Sequence, residues 1–116
     1  MRERRRHIRV RPTADHDVVV ELRRGDFVEL LSVLDISVSG LGLYFGTPLA
    51  GLGTGDTLAL RIRLPHREPF DVDAVLRHVG GAEGSACGLE LVSVSDGDAV
   101  ALRRYVSELL ERGQAV

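Results

Sequence analysis

Several residue types are scarce or missing in this 116-residue chain, which has no tryptophan, no lysine, one cysteine and only three phenylalanines and two tyrosines. A lone Cys87 cannot form an internal disulfide, so the fold must rest on a hydrophobic core, and such cysteine usage fits a reducing cytoplasm. Buried, that thiol would serve as a small hydrophobe. The shortage of aromatic rings removes most of the platforms on which single-stranded nucleic acid stacks. No apolar run approaches the roughly 20 residues that cross a bilayer. The arginines at the start also lead into no continuous apolar stretch of the kind found in a secretory signal. What remains is a soluble domain with 44% hydrophobic and 28% charged residues. At this length a single domain buries about two-thirds of the surface its unfolded chain exposes.

The net charge of −2 hides an uneven distribution. Residues 1–11 hold six arginines against Glu3, or +5, which leaves nine basic and sixteen acidic residues, or −7, for residues 12–116. A basic arm is joined to an acidic body. All fifteen basic residues are arginine, a bias that genome composition can produce. Even so, the planar guanidinium pairs bidentately with phosphate or with the guanine O6/N7 edge, which an ammonium does not. Six like charges with only Ile8 and Val10 as apolar anchors predict an arm that stays poorly ordered without a partner.

Along the chain, residues 16–22 are β-branched and bounded by the Arg24-Gly25-Asp26 turn, which predicts a first strand. Phe27–Ile36 reads as a second strand and Leu41–Phe45 as a third. Residues 46–56 hold four glycines and Pro48 without periodicity and form a connection. Its glycines 51, 53 and 55 make a poor phosphate cradle, because no lysine follows and no strand–loop–helix context surrounds them. From Thr57, the alternation of Leu58, Leu60, Ile62 and Leu64 with Arg61 and Arg63 predicts a half-buried strand stopped by Pro65. Phe70, Val72, Ala74 and Leu76 alternate with Asp71 and Asp73 in the next strand, which ends near Gly80. Attraction of Arg61 and Arg63 to Asp71 and Asp73 is expected across this pair. A short strand over residues 86–92, interrupted by Gly88, precedes a helix over about residues 97–112, capped by Ser95 or Asp96 and stopped by Gly113. Six or so short strands and one helix predict an all-β domain: a closed or nearly closed antiparallel barrel, with the helix on its outside or open end. The organisation expected is an arginine-rich arm over residues 1–11 and a single barrel domain over residues 12–116.

Catalytic patterns are weak. Histidines 7, 16, 66 and 78 stand apart without metal-ligand spacing, and no Ser/His/Asp or Cys/His grouping emerges. No enzyme, metal or cofactor is expected. The arm and one strand corner are instead chemically complementary. In Asp35-Ile36-Ser37-Val38-Ser39-Gly40 a carboxylate and two hydroxyls share a face, and Gly40 allows close backbone approach. Asp35 can accept from guanine N1–H and N2–H₂, and Ser37 can donate to an oxygen. Arg5 and Arg9, with Arg4 and Arg6 beside them, can reach phosphates and guanine edges. A ligand bearing both groups would use them all.

These two stretches resemble the signature of the PilZ domain family, RxxxR followed by [D/N]xSxxG. Arg5-Arg6-His7-Ile8-Arg9 and Asp35–Gly40 are both complete, with 25 residues between Arg9 and Asp35. The resemblance implies a six-stranded antiparallel barrel with a C-terminal helix, and a ligand, the bacterial second messenger cyclic di-GMP. It implies that Arg5 and Arg9 grip phosphate and guanine, with Arg4 auxiliary, and that Asp35 and Ser37 contact the base while Gly40 gives backbone approach. One departure is the missing late-strand tryptophan, in place of which Val75-Leu76-Arg77-His78 stands. The expected function is a non-enzymatic cyclic di-GMP receptor whose arm orders on binding and passes the signal to a protein partner. Two other readings stay open, a PilZ-like adaptor acting through protein contacts alone and a polybasic tether to nucleic acid or anionic membrane. The acidic body and few aromatics count against nucleic acid.

Overall fold

Alternating apolar residues fold into strands because each such strand can bury one face and leave the other in water. The computed structural model describes residues 7–45, 51–80 and 85–116. Within them the chain forms β1 (Val19–Arg24), β2 (Phe27–Ile36), β3 (Gly40–Tyr44), β4 (Thr57–Arg63), β5 (Phe70–Gly80), β6 (Ala86–Val92) and one helix, α1 (Asp96–Glu111). The strands close into an antiparallel barrel in the order β1-β2-β3-β6-β5-β4, with β1 pairing β4 to complete the ring. Closure leaves no open sheet edge. The expected glycine-rich connection falls partly, at residues 46–50, outside the described residues, as does the turn over residues 81–84.

Each strand sends its alternate residues inward. Leu58, Leu60 and Ile62 of β4 meet Ala74, Val72 and Phe70 of β5 in register, and all but Phe70 are buried. The β1–β2 hairpin turns through Gly25, whose φ of 61° lies in the left-handed region that glycine tolerates best. On the outer face Arg61 stands directly opposite Asp71, with Nε donating to Oδ1 over 2.9 Å. This contact holds the Asp71 carboxyl below its ordinary range. An exposed pair of this kind adds little to stability, because solvent screens it. The second expected pair does not form, because Asp73 faces Ala59 and Arg63 faces Val19.

The first strand begins at Val19 rather than residue 16, since Thr13 to His16 make a turn in which His16 N–H donates to the Thr13 carbonyl. That turn moors the helix. The Tyr105 hydroxyl donates to the His16 carbonyl over 2.6 Å, and Arg112 contacts Asp15 at 3.2 Å. Ser95 caps α1 by accepting from the Asp98 amide, Asp96 and Asp98 sit favourably at the positive end of its dipole, and Gly113, with φ of 78°, ends it. Ala101, Leu102, Tyr105, Val106 and Leu109 bury its inner face in the same cluster as the barrel residues.

The two ends of the chain meet beside β2. Val10 and Ile36 exchange backbone hydrogen bonds of 2.9 Å, and on the other side of this segment Arg11 N–H donates to Gln114 and Val116 N–H donates to the Arg9 carbonyl. Val10 is fully buried although the sequence boundary assigns it to the arm. Residues 9–11 therefore lie as a short strand between β2 and the tail that follows α1.

Candidate ligand-binding site

Two irregularities in the barrel build the site. A β-bulge between Val33 and Asp35 places Asp35 opposite Gly42 while Ile36 stays paired with Leu41 inside. Leu34 and Asp35 thus both face outward, which simple alternation forbids. The Asp35 carboxylate rests where Gly42 has no side chain, since a Cβ there would come within 2.9 Å of Oδ1. After Ile36 the chain turns, and Ser37 holds the turn. Its hydroxyl oxygen accepts from the amides of Ser39 and Gly40, both at 3.1 Å, and the residue is 2% exposed. The corner therefore uses both acceptor positions of Ser37, whose hydroxyl also lies 3.4 Å from Ser39 Oγ, where its proton has a partner. Gly40 is required for space, because a Cβ would meet the Leu89 carbonyl oxygen at 2.7 Å.

The Val10–Ile36 ladder delivers Arg9 to this corner. Its Nη1 donates to Asp35 Oδ1 over 2.7 Å, with both side chains only 19% exposed, and its guanidinium lies beside Gly40. Two residues earlier, His7 Nδ1 is 2.9 Å from Ser39 Oγ. Arg9, Asp35, Ser37 and Gly40 are thus brought together. Arg4 and Arg5 lie outside the described residues.

A second bulge, between Leu76 and His78, shapes the opposite wall. It sets Arg77 against Glu90, Nε to Oε1 at 2.7 Å, and lays the His78 ring over Gly88. A side chain at position 88 would collide with that ring. Between the walls is an open cleft of about 440 Å³ lined by His7, Arg9, Ser37, Ser39, Gly40, Arg77, His78, Gly88, Leu89 and Glu90. Asp35 joins it through Arg9. The sequence reading did not assign His7, Gly42, Arg77, His78 and Glu90 to the site. The signals for the far wall are the Val75–His78 stretch, which stands in place of the late-strand tryptophan, and Gly88, a break in an otherwise apolar strand.

The chemistry on offer is recognition. Guanidinium, imidazole and hydroxyl donors face a hollow large enough for a nucleotide-sized ligand. Cys87, on β6, is buried, and burial pushes its thiol up to about 11, so it stays neutral. Among the described residues no group of three or more His, Cys, Asp or Glu side chains is placed to hold a metal ion.

Comparisons with known proteins agree with the fold. The family model described as the PilZ domain matches residues 3–108. No curated protein sequence matches the chain. The PilZ domain of YcgR from Escherichia coli, solved with c-di-GMP, superposes with a TM-score of 0.72 at 19% identity, covering 96% of this chain and 95% of that one. The inhibitor of motility MotI/DgrA of Bacillus subtilis superposes with a TM-score of 0.78 at 24% identity, covering 97% and 54%. MrkH of K. pneumonia, in its c-di-GMP complex, gives 0.78 at 20% identity, covering 97% and 55%. The chain thus spans nearly the whole YcgR domain but only about half of MotI and MrkH.

Proposed function

Because the chain belongs to the PilZ domain family, we propose that it is a non-enzymatic receptor for cyclic di-GMP, bound in the cleft between the arginine segment and the Asp35–Gly40 corner. One observation supports this above the others: Arg9 and Asp35, 26 positions apart, meet at 2.7 Å beside that cleft. The ligand carries two phosphates and two guanines, and this pair offers a donor for the first and an acceptor for the second.

In this reading Asp35 accepts from a guanine N1–H and N2–H₂ edge, while Arg9 turns part of its fork toward phosphate or guanine O6/N7 without leaving the carboxylate. The fork has five N–H donors, so both contacts are available at once. Arg5 adds a second guanidinium and Arg4 an auxiliary one. Ser37 keeps the corner shaped and turns its proton from Ser39 to a ligand oxygen. Gly40 lets the ligand approach the backbone, and the His78 ring forms part of the far wall, in the stretch where the family often carries tryptophan.

Magnitudes limit the affinity. Charge-assisted contacts from four or five groups contribute roughly 1.5–3 kcal/mol each. Ordering flexible backbone costs about 1–2 kcal/mol per residue. Arg9 and Val10 are already held by the ladder and His7 by Ser39, so these residues add little ordering cost on binding. The closed arm then presents a changed surface to a protein partner in the cytoplasm.

Equilibrium binding of alanine variants tests the assignment. Arg5→Ala, Arg9→Ala and Asp35→Ala should each strongly weaken cyclic di-GMP binding while the far-ultraviolet spectrum stays that of the folded barrel. Unchanged affinity in any two would remove the site. A polybasic tether would instead lose affinity for anionic vesicles step by step as arginines are removed, and would be indifferent to Asp35. An adaptor without a nucleotide would bind no cyclic di-GMP in the wild type.

A further inference from the structure

A second pocket lies between α1 and the barrel and shares no residue with the arm cleft. Its volume is about 250 Å³, and its polar lining comes from His16 before β1, His66 and Arg67 in the turn between β4 and β5, and Arg104, Tyr105 and Glu108 on α1. At its inner wall stands His16. The His16 side chain is 10% exposed and stacked on Tyr105, with ring centroids 5.3 Å apart. Its Nε2 is buried and has no hydrogen-bond partner. Buried polar nitrogens are nearly always satisfied, so this one calls for a hydrogen-bond partner, an acceptor when Nε2 carries the proton.

The nearest charged group is the Glu108 carboxylate, with Oε1 at 3.5 Å, outside hydrogen-bond geometry and on a side chain 55% exposed. Around the same hollow, the side chains of His66, Arg67 and Arg104 make no hydrogen bond or ion pair among the described residues. Two guanidiniums and two imidazoles, none with a side-chain hydrogen bond among the described residues, therefore face one half-exposed carboxylate, Glu108, which lies 3.5 Å from His16. The geometry points to a binding site for a small oxyanion, a phosphate or a carboxylate group. One ligand oxygen accepts from His16 Nε2–H at the inner wall, and the others face Arg67 and Arg104. The volume, equal to several water molecules, suits such a group. An occupant would bridge α1, the β4–β5 turn and the segment that leads from Arg9 to β1.

The test is a nuclear magnetic resonance titration of the full chain at fixed pH and ionic strength with inorganic phosphate, with acetate, and with chloride as the baseline. The expected result is a saturable shift of the His16 imidazole and of the amides of residues 64–67 and 101–108, produced by phosphate, acetate or both. Saturation by phosphate alone assigns a phosphate ligand, and saturation by acetate assigns a carboxylate. Arg104→Ala should weaken that binding about fivefold or more, the loss of one charge-assisted contact. Arg103→Ala removes the same charge one residue away, outside the pocket, and should leave it unchanged. Shifts that follow chloride, that fail to saturate, that are confined to His7 and Ser39 in the arm cleft, or that weaken equally in both variants would overturn the proposal.

Discussion

Replacing Gly42 by alanine should damage ligand binding while leaving the barrel folded. The new Cβ would stand 2.9 Å from Asp35 Oδ1, closer than real Cβ atoms approach, and a tight 3.3 Å from its Cγ. Asp35 is the movable partner, so its carboxylate must retreat by a few tenths of an ångström. The same Oδ1 accepts from Arg9 at 2.7 Å, and both halves of the pair are displaced together. Overpacking costs about 1–3 kcal/mol, at the low end where the neighbour is the end of a partly exposed side chain. Alanine also regains about 0.5–1 kcal/mol over glycine within a strand. Net stability should therefore change by no more than about 1 kcal/mol in urea denaturation. Binding depends on a charge-assisted contact of about 1.5–3 kcal/mol, and losing half of it weakens cyclic di-GMP affinity roughly fourfold to tenfold. Gly40→Ala is the contrasting variant. Its Cβ would meet the Leu89 carbonyl oxygen at 2.7 Å, backbone that cannot move without opening the β3–β6 ladder, so it should destabilise the fold by about 1–3 kcal/mol. Wild-type affinity in a folded Gly42→Ala protein would refute the argument that this bare backbone position sets the carboxylate.

Two further outcomes follow from the same geometry. A double-mutant cycle of Arg9→Ala and Asp35→Ala, read by denaturant unfolding without ligand, should give a coupling of about 1 kcal/mol that falls as salt is raised; a coupling near zero would show that the pair adds nothing to the free fold. For Cys87, burial raises the thiol from 9.0 to about 11, so its contribution is fully present below pH 9 and is lost as the pH climbs toward 11. Between pH 7 and 10.5 the wild type should lose about 2 kcal/mol more than Cys87→Ala, and an equal loss in both would contradict the assignment.

Most of the barrel is legible because β4 and β5 alternate plainly and the turns between strands hold glycine or proline. The bulges were not legible. Whether Leu34 or Arg77 is the extra residue depends on partners in other strands, Gly42 and Gly88, and no local pattern encodes that choice. The same register explains the site. Asp35 and Arg9 were readable as complementary groups on a corner and an arm, whereas Arg77, His78 and Glu90 became neighbours of the cleft only through β5–β6 pairing. Val10 looked like a stray apolar residue among arginines because its partners, Ile36 and Ala115, lie far along the chain. Arg63 failed to meet Asp73 for a related reason: the hairpin register pairs Arg61 with Asp71 and so puts Asp73 opposite Ala59.

Isothermal titration of cyclic di-GMP into the wild-type chain tests the central claim most directly. A saturable heat of binding to the folded protein is expected, lost or strongly weakened when Asp35 is replaced by alanine. No heat from a folded wild type, or the same heat from both proteins, would contradict it.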